Sequence, residues 1–317
     1  MLAFTIRRLI GMVFVLIAVS FIVYLIFVKI PGGDPAIRIA GRTATQQNII
    51  NIRHQLGLNQ PFVVQWYKMV SQLLEGKLQS YFFGTNVRQS IISGLPITFS
   101  LSIGAAIIWV FFGILVGTIS AVTAGRFSDR LITVIALIGV SMPVFWLGLI
   151  LRYLLAENGL STWFPDGQYV PLTVNPLQWA FHLLLPWFTL AILFIGFYGR
   201  VLRGNILDVI NEDYVRTARA KGLSPRRVLL KHVLRNSLIP IVTLFGLDFA
   251  AVLGGGAILT EYVFNLQGVG WYAATGVQNL DLPPIMGVTL YGAFFIVIFS
   301  TLVDLIYAWL DPRIRPA

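Results

Sequence analysis

The sequence predicts an all-α integral membrane protein of about six spans, and three observations predict it. Hydrophobic residues make up 57% of the chain against 11% charged, with a mean hydropathy of +0.80. A soluble domain cannot hide that much apolar surface, so lipid is the solvent for most of the chain. Uncharged runs recur near the length of ~20 residues that a helix needs to cross a hydrocarbon core ~30 Å thick. The basic residues behind the net charge of +10 gather in alternate connections, as they do on cytoplasmic loops. Cysteine is absent, which excludes a disulfide framework and a thiol-based metal site.

The first span is expected at 9–30. Leu9–Val28 carries no charge, follows Arg7-Arg8 and runs unbroken into Lys29-Ile30-Pro31, as a retained helix does and a cleaved signal peptide does not. The uncharged run Gln89–Gly125 is too long for one simple crossing, and Pro96, a natural first-turn residue, places the second span at 96–124. The third, 131–155, contains Ser141-Met142-Pro143 and should kink there. The fourth, 179–203, holds His182. The fifth, 238–260, is interrupted by Asp248 and ends near Gly254-Gly255-Gly256, a run suited to close packing or local unwinding. The sixth is 282–310, with Asp304 near its inner end.

Six spans put both termini on one side. With that side cytoplasmic, the inner segments hold 15 of the 23 basic residues, from Arg7 and Arg8 to Arg313 and Arg315. The remaining ones lie mostly in the outer segment 31–95, long enough for its charge to carry little topological weight. Both termini are therefore expected in the cytoplasm and the chain in the cytoplasmic membrane. The outer segment has stretches long enough for short helices between turn residues at Pro31–Pro35 and Gly57…Pro61. Glu157–Gln178, rich in Trp, Tyr, Phe and Pro, reads as part of an interfacial aromatic belt.

Most inner connections are minimal, but the one at 204–237 spells two short helices. Asn211 is placed to cap the first, with Glu212 and Asp213 in its opening turn. Tyr214, Val215 and Ala218 then share one face, and Arg216 and Arg219 another. Gly222 supplies a left-handed end after Ala220 and Lys221, and Ser224-Pro225 starts a second helix carrying the stripe Arg227, Lys231, Arg235. Small side chains at Ala218, Ala220 and Gly222 suit insertion into a partner's groove, whereas the basic stripe suits anionic headgroups.

The run Tyr214-Val215-Arg216-Thr217-Ala218-Arg219-Ala220-Lys221-Gly222-Leu223-Ser224, followed by His232-Val233-Leu234-Arg235-Asn236 and Pro240, resembles the coupling loop of ABC importer permeases, most of all the dipeptide/oligopeptide/nickel branch. The general motif's Glu-Ala-Ala is replaced by Arg216-Thr217-Ala218, which is similar to the peptide branch's variant. Pro31–Ala36, Leu56–Pro61, Glu261-Tyr262-Val263-Phe264 with Gly268-Val269-Gly270, and Asp304-Leu305 with Asp311–Arg315 resemble the first of that branch's two permeases, in the right order. The resemblance implies a type I importer permease that translocates di- or oligopeptides. Its implied partners are a second homologous permease, two cytoplasmic ABC ATPases that consume ATP, an extracytoplasmic substrate-binding protein and membrane lipid, with no nucleic acid. Glu212, Asp213, Tyr214, Val215, Arg216, Ala218, Arg219, Ala220, Lys221 and Gly222 would form the ATPase-coupling helix. Nickel or glutathione would travel by the same architecture.

No G-x-x-x-x-G-K-[ST] motif occurs, so the chain is expected to be no enzyme, with no catalytic, cofactor-binding or metal residues. His54, His182 and His232 lack metal-ligand spacing. Asp248, an ionisable residue in mid-span, is the candidate translocation-pathway residue, the alternative being a hydrogen bond to a neighbouring helix. A secondary transporter would want a polar intramembrane relay and internal repeats, and Asp248 with Asp304 supplies too little of one.

Overall fold

The computed structural model describes residues 2–29, 35–40, 45–156 and 159–310. The turn at Pro31–Asp34 and the ending Asp311–Arg315 lie outside them, as does the side chain of Asp304. The chain starts with α1 (Leu2–Lys29), and α2 (Pro35–Ala40), α3 (Gln46–Leu56) and α4 (Phe62–Leu74) follow at its far end. α5 (Val87–Val122) returns, and α6 (Phe127–Ser141) and α7 (Val144–Leu155) lead back before α8 (Pro176–Val209). The next connection holds α9 (Asp213–Ala220), α10 (Pro225–Val228), a π-helical turn (Leu229–Leu234) and α11 (Arg235–Ser237). α12 (Ile239–Ala251), a second π-helical turn (Val252–Gly256) and α13 (Ile258–Val263) make the fifth crossing. α14 (Val269–Gln278) and α15 (Leu282–Leu310) complete the described chain. Among the described residues five helices are long and apolar enough to cross a membrane, and six if α6 and α7 count as one broken span.

The central pair is α5 and α8, which run in parallel and pack along most of their length through small residues. A Cβ at Gly113 would lie 2.8 Å from Tyr198 Cβ, and one at Gly117 would lie 2.7 Å from the Gly199 carbonyl. Lipid gives apolar side chains no reason to leave it for each other, so close backbone approach carries the packing. α6 crosses the same helix at Gly196, where a Cβ would meet the Ala136 carbonyl at 2.6 Å. Trp109, Leu183, Leu190, Tyr198 and Leu202 are fully buried in the resulting core.

Three helix boundaries differ from the sequence expectation. The second span begins at Val87, not at Pro96, because Asn86 Oδ1 accepts from Gln89 N at 3.0 Å and caps the helix nine residues earlier. Pro96 sits inside and the helix continues through it. The fourth span runs on to Val209, with Arg203 paired to Asp129 of α6, which shortens the loop expected at 204–237. The third is not a kinked helix but two helices bent by 102°. Met142 is extended (φ −81°, ψ 130°) because the proline ring of Pro143 disfavours helical backbone before it.

At Gly254-Gly255-Gly256 both expected uses of glycine are found. Gly255 has φ +145°, open only to glycine, and breaks the helix. Gly254 lies on α15 beside Gly292, where its Cβ would sit 3.1 Å from that residue's carbonyl.

Candidate functional site

α9 is the shortest path to the loop's chemistry. Glu212, extended at φ −66° and ψ 148°, holds the cap position, and its carbonyl accepts from Val215 N and Arg216 N. The capping role expected of Asn211 is not found: its side chain turns back and donates to the Leu207 carbonyl, extending α8 instead. Gly222 closes the helix in the left-handed region (φ +79°), with Gly222 N donating to the Arg219 carbonyl at 2.9 Å.

Val215 and Ala218 are buried in this chain's own core, with Leu202, Ile206, Val228 and Val233. Ala218 therefore does not reach outward as the insertion into a partner's groove requires. The hydrophobic effect takes it inward, to seat α9 on α10 and the π-helical turn Leu229–Leu234. Tyr214 departs from the shared face as well: it is 41% exposed, and its hydroxyl accepts from Asn236 Nδ2 at 2.7 Å, tying α9 to α11. What projects outward is Asp213, Arg216, Arg219, Ala220, Lys221 and Gly222. The Arg216–Asp213 pair, 3.5 Å apart and exposed, contributes little to holding the helix. Arg227, Lys231 and Arg235 are all exposed.

Asp248 lies on α12 against α8. Its Oδ2 accepts from the Tyr198 hydroxyl at 2.8 Å, and the residue remains half-buried. Tyr198 is fully buried between Gly113 of α5 and the rings of Phe194 and Phe197. The carboxylate thus has the neighbouring-helix hydrogen bond of the structural reading and the partial exposure that the pathway reading needs.

Four further polar clusters were not legible as such in the sequence. At the inner end, Asp129 of α6 takes Arg203 Nε and Nη2 at 2.8 Å each, the Ser120 hydroxyl and Gly125 N, locking α5, α6 and α8. At the outer end, the fully buried Glu261 takes the Thr98 hydroxyl at 2.7 Å and Trp271 N at 2.9 Å, joining α13 to α5 and to the start of α14. Asp281 takes the Ser80 hydroxyl, Tyr81 N at 2.9 Å and Phe82 N at 3.2 Å, fastening the outer segment to the start of α15. Arg152 forks onto Asp166 and donates to the Val263 carbonyl at 2.6 Å, pinning the outer loop to α13. His182 Nδ1 is hydrogen-bonded to the Gly167 carbonyl at 2.8 Å in the same loop. Each pairing except those of Asp129 with Ser120 and Gly125 and of Glu261 with Trp271 joins residues more than a dozen positions apart, which a scan for local motifs does not see. Among the described residues no three of His, Asp or Glu stand close enough to hold a metal ion.

Residues 113–316 match the family described as the binding-protein-dependent transport system inner membrane component, and residues 1–102 match the N-terminal family of that membrane component. The chain is 40% identical over 313 residues to the probable peptide ABC transporter permease protein y4tP of Sinorhizobium fredii, covering 98% of this chain and 99% of the relative. It is 38% identical over 331 residues to the probable D,D-dipeptide transport system permease protein DdpB of Escherichia coli (97% and 96% covered). It is also 38% identical over 321 residues to the glutathione transport system permease protein GsiC of Salmonella typhimurium (99% of each).

Proposed function

Because the chain belongs to the family of binding-protein-dependent transport system inner membrane components, we propose that it forms, with a second related permease, the pathway by which di- or oligopeptides enter the cytoplasm. It is the multi-pass membrane permease of a peptide-type ABC transport system and not the ATPase. In this reading one of two cytoplasmic ATPases docks on α9 and the other on the second permease, an extracytoplasmic binding protein delivers the cargo, and both termini face the cytoplasm. The relatives' names support peptides as the cargo class, and one of those names, glutathione, is itself a short peptide.

The observation that carries the mechanism is the division of α9 into two faces. Val215 and Ala218 anchor it in this chain's own core, against α10 and the π-helical turn that leads into α11 and α12, so a push on α9 is delivered toward the fifth crossing. Arg216, Arg219, Ala220, Lys221 and Gly222 project as a short, small-residue, basic knob into the space where an ATPase would sit. ATP-driven closure of the ATPases would move two such knobs and swing the pathway between outward and inward access. Asp248, half exposed beside α8, is the pathway residue in this reading and attracts the amino end of a peptide.

The test is uptake by Ala220→Trp and Gly222→Asp variants reconstituted with the partner subunits. Both are expected to insert normally, to retain the membrane fold and to lose peptide-stimulated ATP hydrolysis. Normal uptake at normal protein levels would remove α9 as the coupling element.

A further inference from the structure

α4 carries apolar surface that the chain leaves uncovered. At 100° per residue, Phe62, Trp66, Met69 and Leu73 fall on one side of the helix, and these pack inward. Val63, Tyr67, Val70 and Leu74 fall in the adjoining sector of about 60°. Three of these are among the barest apolar residues described, at 59% (Val63), 66% (Tyr67) and 79% (Leu74) exposed. Gln65, Lys68, Ser71 and Gln72 occupy the remaining, opposite side, with Val64 (39% exposed) as the one apolar residue among them. The helix therefore has a polar side, a packed side and a bare apolar side.

Its depth can be read from two neighbours independently. On α1, Trp66 Nε1 donates to Ser20 Oγ at 3.1 Å, the Tyr24 hydroxyl donates to Gln65 Oε1 at 2.7 Å, and Phe62 meets the rings of Phe21 and Tyr24. The uncharged run of α1 ends at Val28, before Lys29. At 1.5 Å per residue Tyr24 and Ser20 lie about 6 and 12 Å inside that end, with Trp66 and Phe62 between them. On α15, Leu73 lies over Gly287, within 3.8 Å of where a Cβ would stand. The span of α15 begins at Leu282, which puts Gly287 about 7 Å inside. Both rulers agree with the ~5–10 Å at which an amphipathic helix settles into the headgroup and acyl boundary.

We infer that α4 is a membrane-embedded surface helix, its bare sector of Val63, Tyr67 and Leu74 inserted among the lipid of the leaflet opposite α9. The bare sector is continuous with the lipid-facing side of α1, where Ile22, Leu25 and Ile26 are 52%, 38% and 46% exposed. Tyr67 suits this level, with its ring in lipid and its hydroxyl at the water boundary. Lys68, on the polar side, extends toward the headgroups. The leaflet is the extracytoplasmic one if the orientation proposed above holds, and the depth does not rest on it.

The chain has no cysteine, so single cysteines give clean probes. Tyr67→Cys, Leu74→Cys and Lys68→Cys would each carry an environment-sensitive fluorophore in the assembled transporter, held in lipid discs whose phospholipids are brominated near the head of the acyl chain. The probes at 67 and 74 are expected to lose most of their emission, and the one at 68 little of it. Bromine placed at the chain end should quench all three weakly. Emission at 67 and 74 untouched by either lipid would mean that the second permease or a binding protein covers this face, and would overturn the inference. Labelling of Gln72→Cys in intact cells by a membrane-impermeant maleimide reads the side separately. Labelling seen only after permeabilisation would reverse the proposed orientation and leave the depth result standing.

Discussion

Asp248→Asn separates a charge that serves transport from a carboxylate that merely holds Tyr198. The Tyr198 hydroxyl donates to Asp248 Oδ2 at 2.8 Å, and an asparagine oxygen can accept the same bond. A hydrogen bond to an ionised group contributes ~1.5–3 kcal/mol and a neutral one ~0.5–1.5 kcal/mol, so the exchange weakens the contact by about 1 kcal/mol. Against that, a carboxylate in the middle of a span costs ~2.5–3.5 kcal/mol, part of which is relieved by its half exposure and part of which the neutral but still polar amide removes. The two effects oppose, and the variant should be as stable as the parent or slightly more so. Tyr198→Phe should behave differently, because it strips the carboxylate of its donor and costs ~1–3 kcal/mol. Thermal stability in lipid discs, measured for both single variants and the double, gives the coupling between the residues. Peptide uptake by the same preparations, driven by the partner ATPases, gives the function. If the charge faces the pathway, Asp248→Asn loses uptake or transport-coupled ATPase rate without losing stability. Full uptake and an unchanged ATPase rate at several pH values would refute this reasoning, leaving Asp248 as Tyr198's acceptor and nothing more.

Gly117→Val should separate α5 from α8, since its Cβ would stand 2.7 Å from the Gly199 carbonyl and 3.0 Å from Leu202 Cβ. An overpacking cost of ~1–3 kcal/mol should appear as a lowered melting temperature. Gly204→Ala on the same α8, where a Cβ meets nothing within 4 Å, should be neutral or stabilising, and equal losses in the two would refute the packing argument.

Hydropathy and charge sidedness made the spanning helices legible, because crossing a membrane demands length and apolarity and little else. The same simplicity limits what hydropathy can say about shape. Residues 131–155 form one apolar run, yet Pro143 turns it through 102°, since a missing N–H and a ring clash act on backbone geometry and leave hydropathy untouched. Pro96 shows the opposite error. Read as a helix start, it lies nine residues inside a helix whose true cap, Asn86, is a polar residue at the end of the outer segment. Proline in a spanning helix is tolerated because neighbouring groups compensate for the lost bond, and those neighbours are not visible in one dimension.

The polar residues divide along the same line. Asp248 stood out because it interrupts an apolar run, while Glu261, equally ionisable and more deeply buried, lay just past the run's end and drew notice only as part of a motif. Trp271 lies just past the same motif, but its other partner, Thr98, comes from a helix that sequence reasoning had no means to bring beside it. α9 shows what structure adds even where a motif is recognised. Periodicity already separates the face of Val215 and Ala218 from that of Arg216 and Arg219, but it does not say which face is buried, and the small side chains of Ala218, Ala220 and Gly222 read as one insertion surface. The structure buries Val215 and Ala218 and leaves Arg216, Arg219 and Ala220 exposed. A bulky residue at Ala218 would consequently disturb α9 by unseating it from α10 and the π-helical turn, whereas one at Ala220 would leave the seat intact and, in the proposed reading, block the docking ATPase. Loss of transport is common to both, and loss of the permease's own thermal stability belongs to the first alone.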